Sequence, residues 1–361
     1  MKVPSSLPAL ISGDMTGLAA HWRRSGNFAQ LPGHGMLHLQ APAAARWRLL
    51  ISVGVHGNEV APIEMLAPVL DALLQSPQSL QVDLFLVVGN PAALAVGKRF
   101  VDIDLNRLFS CPARVHEIGS RVAEAARADA IMRASAVFFK MESMPKWHLD
   151  LHSTIRPSLH TRFAVVPENP EQSAWQPHQP LIAWLGRAAM QAIVFNDLPA
   201  TTFSAFTARE YSALSCTVEL GQVGVSGANE MLPLLQTQQA IARLLRTKLP
   251  ATGAAESSSA PAAAFGNPPV DGPLPVHYRV VQEIIKQGQD FHLNLASTAP
   301  NFTAIPAGCW IARDGATTIS AGPLTEFAVF PNPEVQPGRR AALMVVRRAE
   351  EASVRQPQPA C

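Results

Sequence analysis

Four side chains in this sequence have the types and spacings that hydrolytic chemistry needs. His56 and Glu59 stand three apart in Gly54-Val55-His56-Gly57-Asn58-Glu59, where one turn can bring an imidazole and a carboxylate to the same side. Two ligands reach one metal ion in this way. The plainer alternative is a histidine followed by a glutamate that complements the dipole of a helix start. His152 ends the alternating run Leu149-Asp150-Leu151-His152-Ser153, and Glu219 is set among apolar neighbours in Cys216-Thr217-Val218-Glu219-Leu220-Gly221. An ionised carboxylate in such a run is costly unless it is paired or bound to a cation. His56, Glu59, His152 and a further strand glutamate form the set that a catalytic zinc site requires: three protein ligands, an open position for water, and a nearby carboxylate to take that water's proton.

The elements that must position these groups are strand ends. Leu49 to Val53 is a short, β-branched apolar run closed by Gly54, which reads as a buried strand. Val60 to Leu74 reads as a helix with Pro62 in its first turn, where the missing N–H costs least. Val82 to Val88 is a second buried strand ended by Gly89-Asn90-Pro91, so strand, helix and strand predict a parallel pair. Trp147 to His152 and Phe163 to Val166 read as strands, Leu181 to Ala192 as a helix, and Glu230 to Leu249 as a patterned helix. Asp150 shares a strand face with His152 and suits either support of the site or a pairing with Arg156. Residues Arg114 to Ala134 read as a helix exposing Glu117, Arg121, Glu124 and Arg127.

The blocks GVHGNEVAPIEML, DIDLNRLF, LDLHST and TVELGQVG, in that order, resemble the succinylglutamate desuccinylase/aspartoacylase family of zinc amidohydrolases, itself similar to the zinc carboxypeptidases. The blocks run from about Trp47 to Gly227, with a weaker match toward Arg348, and they are most similar to the desuccinylase branch. The resemblance implies that His56, Glu59 and His152 bind one Zn2+ per chain and that Glu219 is the catalytic base and proton donor. It implies that Asn106 and Arg107 of the DLNR motif, together with Arg209, grip substrate carboxylates, with Arg99 a further candidate. Arginine suits that role because its planar fork matches a carboxylate. Read from the residues alone, the DLNR stretch is equally a loop with an Asp–Arg surface pair. His148 and His160 fall outside the expected metal site.

The fold implied is α/β, a zinc-carboxypeptidase-like domain with a mixed central sheet flanked by helices, plus a smaller C-terminal β domain. The expected bounds are a catalytic domain over 1–250, a Ser/Ala/Pro-rich linker over 251–270, a β domain over 271–348 and a tail over 349–361. The activity implied is hydrolysis of N-succinyl-L-glutamate to succinate and L-glutamate, the last step of an arginine-degrading route. Another N-acyl-amino-acid deacylase such as an aspartoacylase, a peptidase of similar architecture, and a non-catalytic metal- or ligand-binding protein are the alternatives.

Across its 361 residues the chain is 48% hydrophobic and 16% charged, a globular profile with ample core. Its formal net charge of +2 carries no nucleic-acid or membrane footprint; the partner that the resemblance implies is a small molecule, an N-acylated acidic amino acid, and a homo-oligomer is left open. The pairs Arg339-Arg340 and Arg347-Arg348 read as solvated surface, and residues up to about Ala45 as an edge strand or hairpin. The start of the chain lacks the apolar core of a signal peptide, and no run is long enough to cross a bilayer. Cys111, Cys216, Cys309 and Cys361 lack CxxC spacing and are expected as free thiols in a reducing cytoplasm.

Overall fold

The apolar runs assemble into one large sheet. The computed structural model describes residues 5–45, 47–110, 122–140, 144–168, 178–222, 234–247 and 274–348. Two short helices, Ser6–Ser12 and Thr16–Arg24, come first. The hairpin expected near the start follows them as β1 (Ala29–Gly33) and β2 (Met36–Leu39). Then come β3 (Arg48–Val53), the helix Ala61–Gln75 with proline in its first turn, and β4 (Asp83–Val88). After them lie β5 (Lys146–Thr154), β6 (Phe163–Pro167), β7 (Ala192–Asn196) and β8 (Leu214–Gln222).

The parallel block β4-β3-β5-β8 is buried on both faces, which is why β3 and β4 read as continuous apolar runs. On one face Leu49, Ile51 and Val53 join the core built with the helices Ala61–Gln75 and Leu235–Leu245. On the other, Leu50, Phe85 and Val87 pack against the helices Ala123–Phe138 and Phe203–Tyr211. From β3 the chain crosses to β4 on one side, and β5 then pairs with β3 on the other. The strand order thus reverses between β3 and β5, and a crevice opens at such a reversal outside the strands' carboxyl ends.

The C-terminal strands are β9 (Val276–Ile285), β10 (Phe291–Leu293), β11 (Thr303–Ile305), β12 (Trp310–Asp314), β13 (Thr317–Ser320), β14 (Glu326–Val329) and β15 (Arg340–Arg347). They do not form an isolated layer. β9 pairs parallel with β7, so the large sheet runs without a break through β9, β15, β14 and β11. A three-stranded sheet of β10, β12 and β13 completes this part.

Several elements differ from their sequence-based expectations. The helix expected over 181–192 is Gln179–Arg187, and Ala192 opens β7: Ala189 at φ 60° ends the helical path and the β-branched Ile193 and Val194 follow. Glu124 and Arg127 are not a solvated stripe. Buried Glu124 accepts from the backbone N–H groups of Val101 and Asp102, and Arg127 donates to the carbonyls of Val88, Gly89 and His34. Arg348 likewise pairs with Glu168 at 2.7 Å and lies over the Phe195 ring. The linker 251–270, the tail 349–361, Cys111, Cys361, Glu117 and Arg121 lie outside the described residues. Among the described residues no helix is long and apolar enough to cross a membrane.

Close packing fixes the turn after β3. A Cβ at Gly57 would come within 2.1 Å of the Ala93 carbonyl carbon and 2.3 Å of the Leu94 nitrogen. Backbone atoms cannot swing aside, so Gly57→Ala should destabilise the protein by about 3 kcal/mol or more in urea unfolding. Gly17, inside the helix Thr16–Arg24 with nothing within 4 Å of its Cβ, is the control. Gly17→Ala should be neutral or stabilising by up to about 1 kcal/mol. Equal effects at the two positions would contradict this packing account.

Candidate metal centre and active site

The turn that leaves β3 carries His56 and Glu59, and the end of β5, its neighbour across the reversal, carries His152. Glu59 is the hub. Its Oε1 lies 2.8 Å from His56 Nδ1, and its Oε2 lies 2.9 Å from His152 Nδ1. Ser153 N–H donates to Oε2 at 3.1 Å and Arg99 Nη1 to Oε1 at 3.1 Å. Burial alone would raise the Glu59 carboxyl, yet His56 and His152 beside it hold it well below the usual carboxylate range. The ring centroids of the two histidines are 5.0 Å apart, and one donor atom from each of His56, Glu59 and His152 lies within 4.8 Å of the others. Two imidazole nitrogens and a carboxylate at this separation fit the ligand set of a divalent ion such as zinc. The group could hold a metal ion.

Each histidine has a second carboxylate behind it, in a hydrogen bond at His56 and in ion-pair contact at His152. His56 Nε2 is 3.0 Å from Asp104 Oδ1, and His152 Nε2 is 3.0 Å from Asp150 Oδ2. Such partners orient a ligating ring and set which nitrogen faces the metal. Asp104 also accepts from Asn106 N–H at 3.0 Å and lies 3.7 Å from Arg99 Nη2. Burial would raise the Asp104 carboxyl, but the His56 hydrogen bond and the charges of Arg107 and Arg99 hold it well down. Burial opposes charge on His152, while Asp150 and Glu59 push its pKa well above the ordinary value. Asp104 is a site residue that sequence reasoning missed, since a loop aspartate near an arginine looks like a surface pair.

Glu219 sits on β8 directly opposite His152 of β5 in the ladder. It is buried, and its Oε2 has no hydrogen-bond partner. Burial raises its pKa to about 7, with Glu59 adding to the rise and His152 opposing it. A carboxylate so placed can exchange a proton near neutral pH. Cys216 of the same strand is buried, and burial pushes its thiol well up, which leaves it inert.

The other expected residues are placed unevenly. Asn106 is buried, and its Oδ1 accepts from Phe203 N–H at 2.9 Å, so its amide nitrogen is the free end. Arg107 Nη1 bonds to the Asn106 carbonyl at 3.2 Å. Its pKa is lowered by burial, with Asp104 opposing and Arg340, Arg99 and Arg339 adding like charge. The pair Arg339-Arg340, expected as solvated surface, therefore contributes to the field at Arg107. Arg209 lies on the helix Phe203–Tyr211, 45% exposed and 2.8 Å from Glu210 Oε1. Its recorded contacts do not reach the histidines.

Residues 45–245 match the family described as the Succinylglutamate desuccinylase/Aspartoacylase catalytic domain, and residues 274–348 the AstE/AspA barrel-sandwich hybrid domain. A protein of Burkholderia pseudomallei named succinylglutamate desuccinylase is 34% identical over 97% of this chain and 93% of its own. The crystal structure of a succinylglutamate desuccinylase from Chromobacterium violaceum has a TM-score of 0.72 at 29% identity and full coverage of both chains. That from Vibrio cholerae has a TM-score of 0.73 at 29% identity, over 88% of this chain and 87% of the other.

The Glu219 carboxyl carries a pH test. Its folded pKa of about 7 exceeds the ordinary 4.5, so metal-free folded protein keeps a proton that the unfolded chain has released. The stability cost of this group therefore grows as pH rises from about 4.5 to about 7 and levels off above. In chelator, Glu219→Gln should gain stability relative to wild type across that interval. A pH-independent difference in denaturant midpoints would contradict the assignment.

Proposed function

Since the chain belongs to the succinylglutamate desuccinylase/aspartoacylase family, we propose that it hydrolyses the amide bond of N-succinyl-L-glutamate, giving succinate and L-glutamate. The observation that carries this reading is the convergence of His56, Glu59 and His152 beside an unpartnered, buried Glu219. The relatives' names support the substrate, and the donor set supports zinc. Zinc held by His56, Glu59 and His152 would polarise the scissile carbonyl and make water more acidic. Glu219 accepts the proton of the attacking water and returns it to the leaving amine nitrogen. Its high pKa suits both halves, since it releases a proton as readily as it takes one near neutral pH.

N-succinyl-glutamate carries three carboxylates, and the candidate donors are Arg99, which bonds Glu59, with Asn106, whose N–H bonds Asp104, and Arg107, whose charge Asp104 feels. Asn106 offers its amide nitrogen because its oxygen is occupied. Arg99 already bonds Glu59, so it would bridge the metal ligand and the substrate. Arg209 would have to release Glu210 to take part. We assign residues 1–250 to catalysis, 251–270 to a linker and 271–348 to the β domain, in a cytoplasmic protein whose described cysteines are free.

Glu219→Gln should lower turnover by roughly two to four orders of magnitude while retaining about one zinc per chain. Arg107→Ala should cost roughly ten- to a hundredfold in kcat/KM, mostly through KM. N-succinyl-glutamate should be preferred to N-acetyl-aspartate, whose acyl group has no distal carboxylate. A preference for N-acetyl-aspartate would favour the aspartoacylase reading, and a folded, zinc-loaded but inactive wild type would overturn hydrolysis of both.

A further inference from the structure

A line of hydroxyls and one histidine leads from the metal centre into the core. Ser52 on β3 lies opposite Asp150 on β5, and its hydroxyl donates to Asp150 Oδ1 at 2.5 Å. The same Ser52 oxygen is 2.8 Å from His148 Nε2. His148 Nδ1 is 2.8 Å from Thr207 Oγ1, on the helix Phe203–Tyr211, and Thr207 Oγ1 is 2.9 Å from Ser215 Oγ on β8. His148, Asp150 and Thr207 are fully buried, and the edge of His148 packs on the Phe203 ring at 4.4 Å between centroids. His148 stands outside the three-residue cluster, with its two nitrogens hydrogen-bonded to Ser52 and Thr207.

Proton counting fixes the direction of every link. Asp150 accepts, so the single Ser52 hydrogen is spent on it. Towards His148 the Ser52 oxygen can only accept, so His148 Nε2 carries the hydrogen. Burial lowers the His148 pKa to about 4, so the ring is neutral and its Nδ1 is bare. Thr207 therefore donates to Nδ1, in preference to the Phe203 and Ser204 carbonyls at 3.3 and 3.1 Å, and accepts from Ser215, whose other acceptor is the Ala213 carbonyl at 3.2 Å. All donors thus run one way, from Ser215 through Thr207, His148 and Ser52 to Asp150. At Asp150 they meet the Nε2 side of His152. A carboxylate fixed by Ser52 stands in ion-pair contact, 3.0 Å from His152 Nε2, on the side of the ring away from Glu59, which lies at Nδ1.

We propose that His148 and Ser52 are positioning residues: through Asp150 they hold His152 in the orientation and tautomer that present Nδ1 to the metal. This rests on the metal reading of His56, Glu59 and His152. It predicts a cost in metal affinity from residues that never touch the metal. Loss of such an outer partner typically costs roughly ten- to a hundredfold in affinity.

The test has a metal-free arm and a zinc arm. Nitrogen-15 NMR of the histidine rings in chelator-treated protein should show His148 as the neutral tautomer protonated at Nε2. A hydrogen on Nδ1 would overturn the relay whether or not zinc binds. Competition with a chromophoric chelator should then show Ser52→Ala and His148→Phe weakening zinc binding by roughly tenfold or more. Ser52→Thr, which keeps the hydroxyl, should stay near wild type. Circular dichroism and denaturant unfolding of the metal-free variants identify those that are folded. Zinc affinity within about twofold of wild type in folded Ser52→Ala would overturn the proposal. A wild type that took up no zinc would instead sink the metal reading, with the tautomer arm still judging the relay.

Discussion

Two imidazoles converge on one buried carboxylate, and the rest of the site depends on that arrangement. Glu59 is 2% exposed, and its two oxygens are divided between His56 and His152. Burying a carboxylate in this way is expensive unless its lone pairs are occupied by donors or a cation. Here the Ser153 amide, Arg99 and the two rings occupy them. Every feature of the surroundings serves to keep that cluster together. Asp104 and Asp150 steady the rings, Glu124 anchors the backbone at 101–102 beyond Arg99, and Gly57 lets the turn lie against Ala93 and Leu94.

The placement follows from topology. The chain visits β4 on one side of β3 before it returns to β5 on the other. This leaves the carboxyl ends of β3 and β5 side by side at the reversal, with β8 next in line. Glu59 and His152, 93 residues apart in sequence, become neighbours because parallel pairing aligns equivalent strand ends. The polar face of this block (Ser52, His148, Asp150, His152, Ser215, Thr217 and Glu219) is roofed by the helix Phe203–Tyr211, whose Ser204 and Thr207 supply matching hydroxyls. A polar core of this kind is tolerable because its hydroxyls and His148 satisfy one another, while Glu219 Oε2 stays without a hydrogen-bond partner.

Much of this was legible in the sequence, for physical reasons. Buried parallel strands must be continuously apolar, so β3 and β4 announce themselves, and a polar residue interrupting such a run, like Glu219, must have a use. The HxxE turn and the strand-end His152 are local patterns, and the order of the four blocks carried the family. What the sequence hid depends on partners distant in the chain. Asp104 looks like a loop acid until the fold brings His56 to it across 48 residues. His148 looks like one more strand residue until Ser52 and Thr207 close on its two nitrogens. Arg339 is exposed as expected, whereas Arg340 is half-buried against Glu283, and the charge of both bears on Arg107. β7 was obscured because the left-handed residue that ends the path of the preceding helix is Ala189 and not a glycine.

As a metal centre, and not merely a buried ion-pair network, the Glu59 cluster should take up zinc between its own side chains. Diffraction from zinc-soaked crystals, with anomalous data collected on both sides of the zinc absorption edge, tests it most directly. One strong anomalous peak is expected within bonding distance of His56 Nδ1, His152 Nδ1 and a Glu59 oxygen, with Asp104 and Asp150 still on the far sides of the rings. Zinc found only elsewhere, with Glu59 still bridging the two histidines, would contradict it.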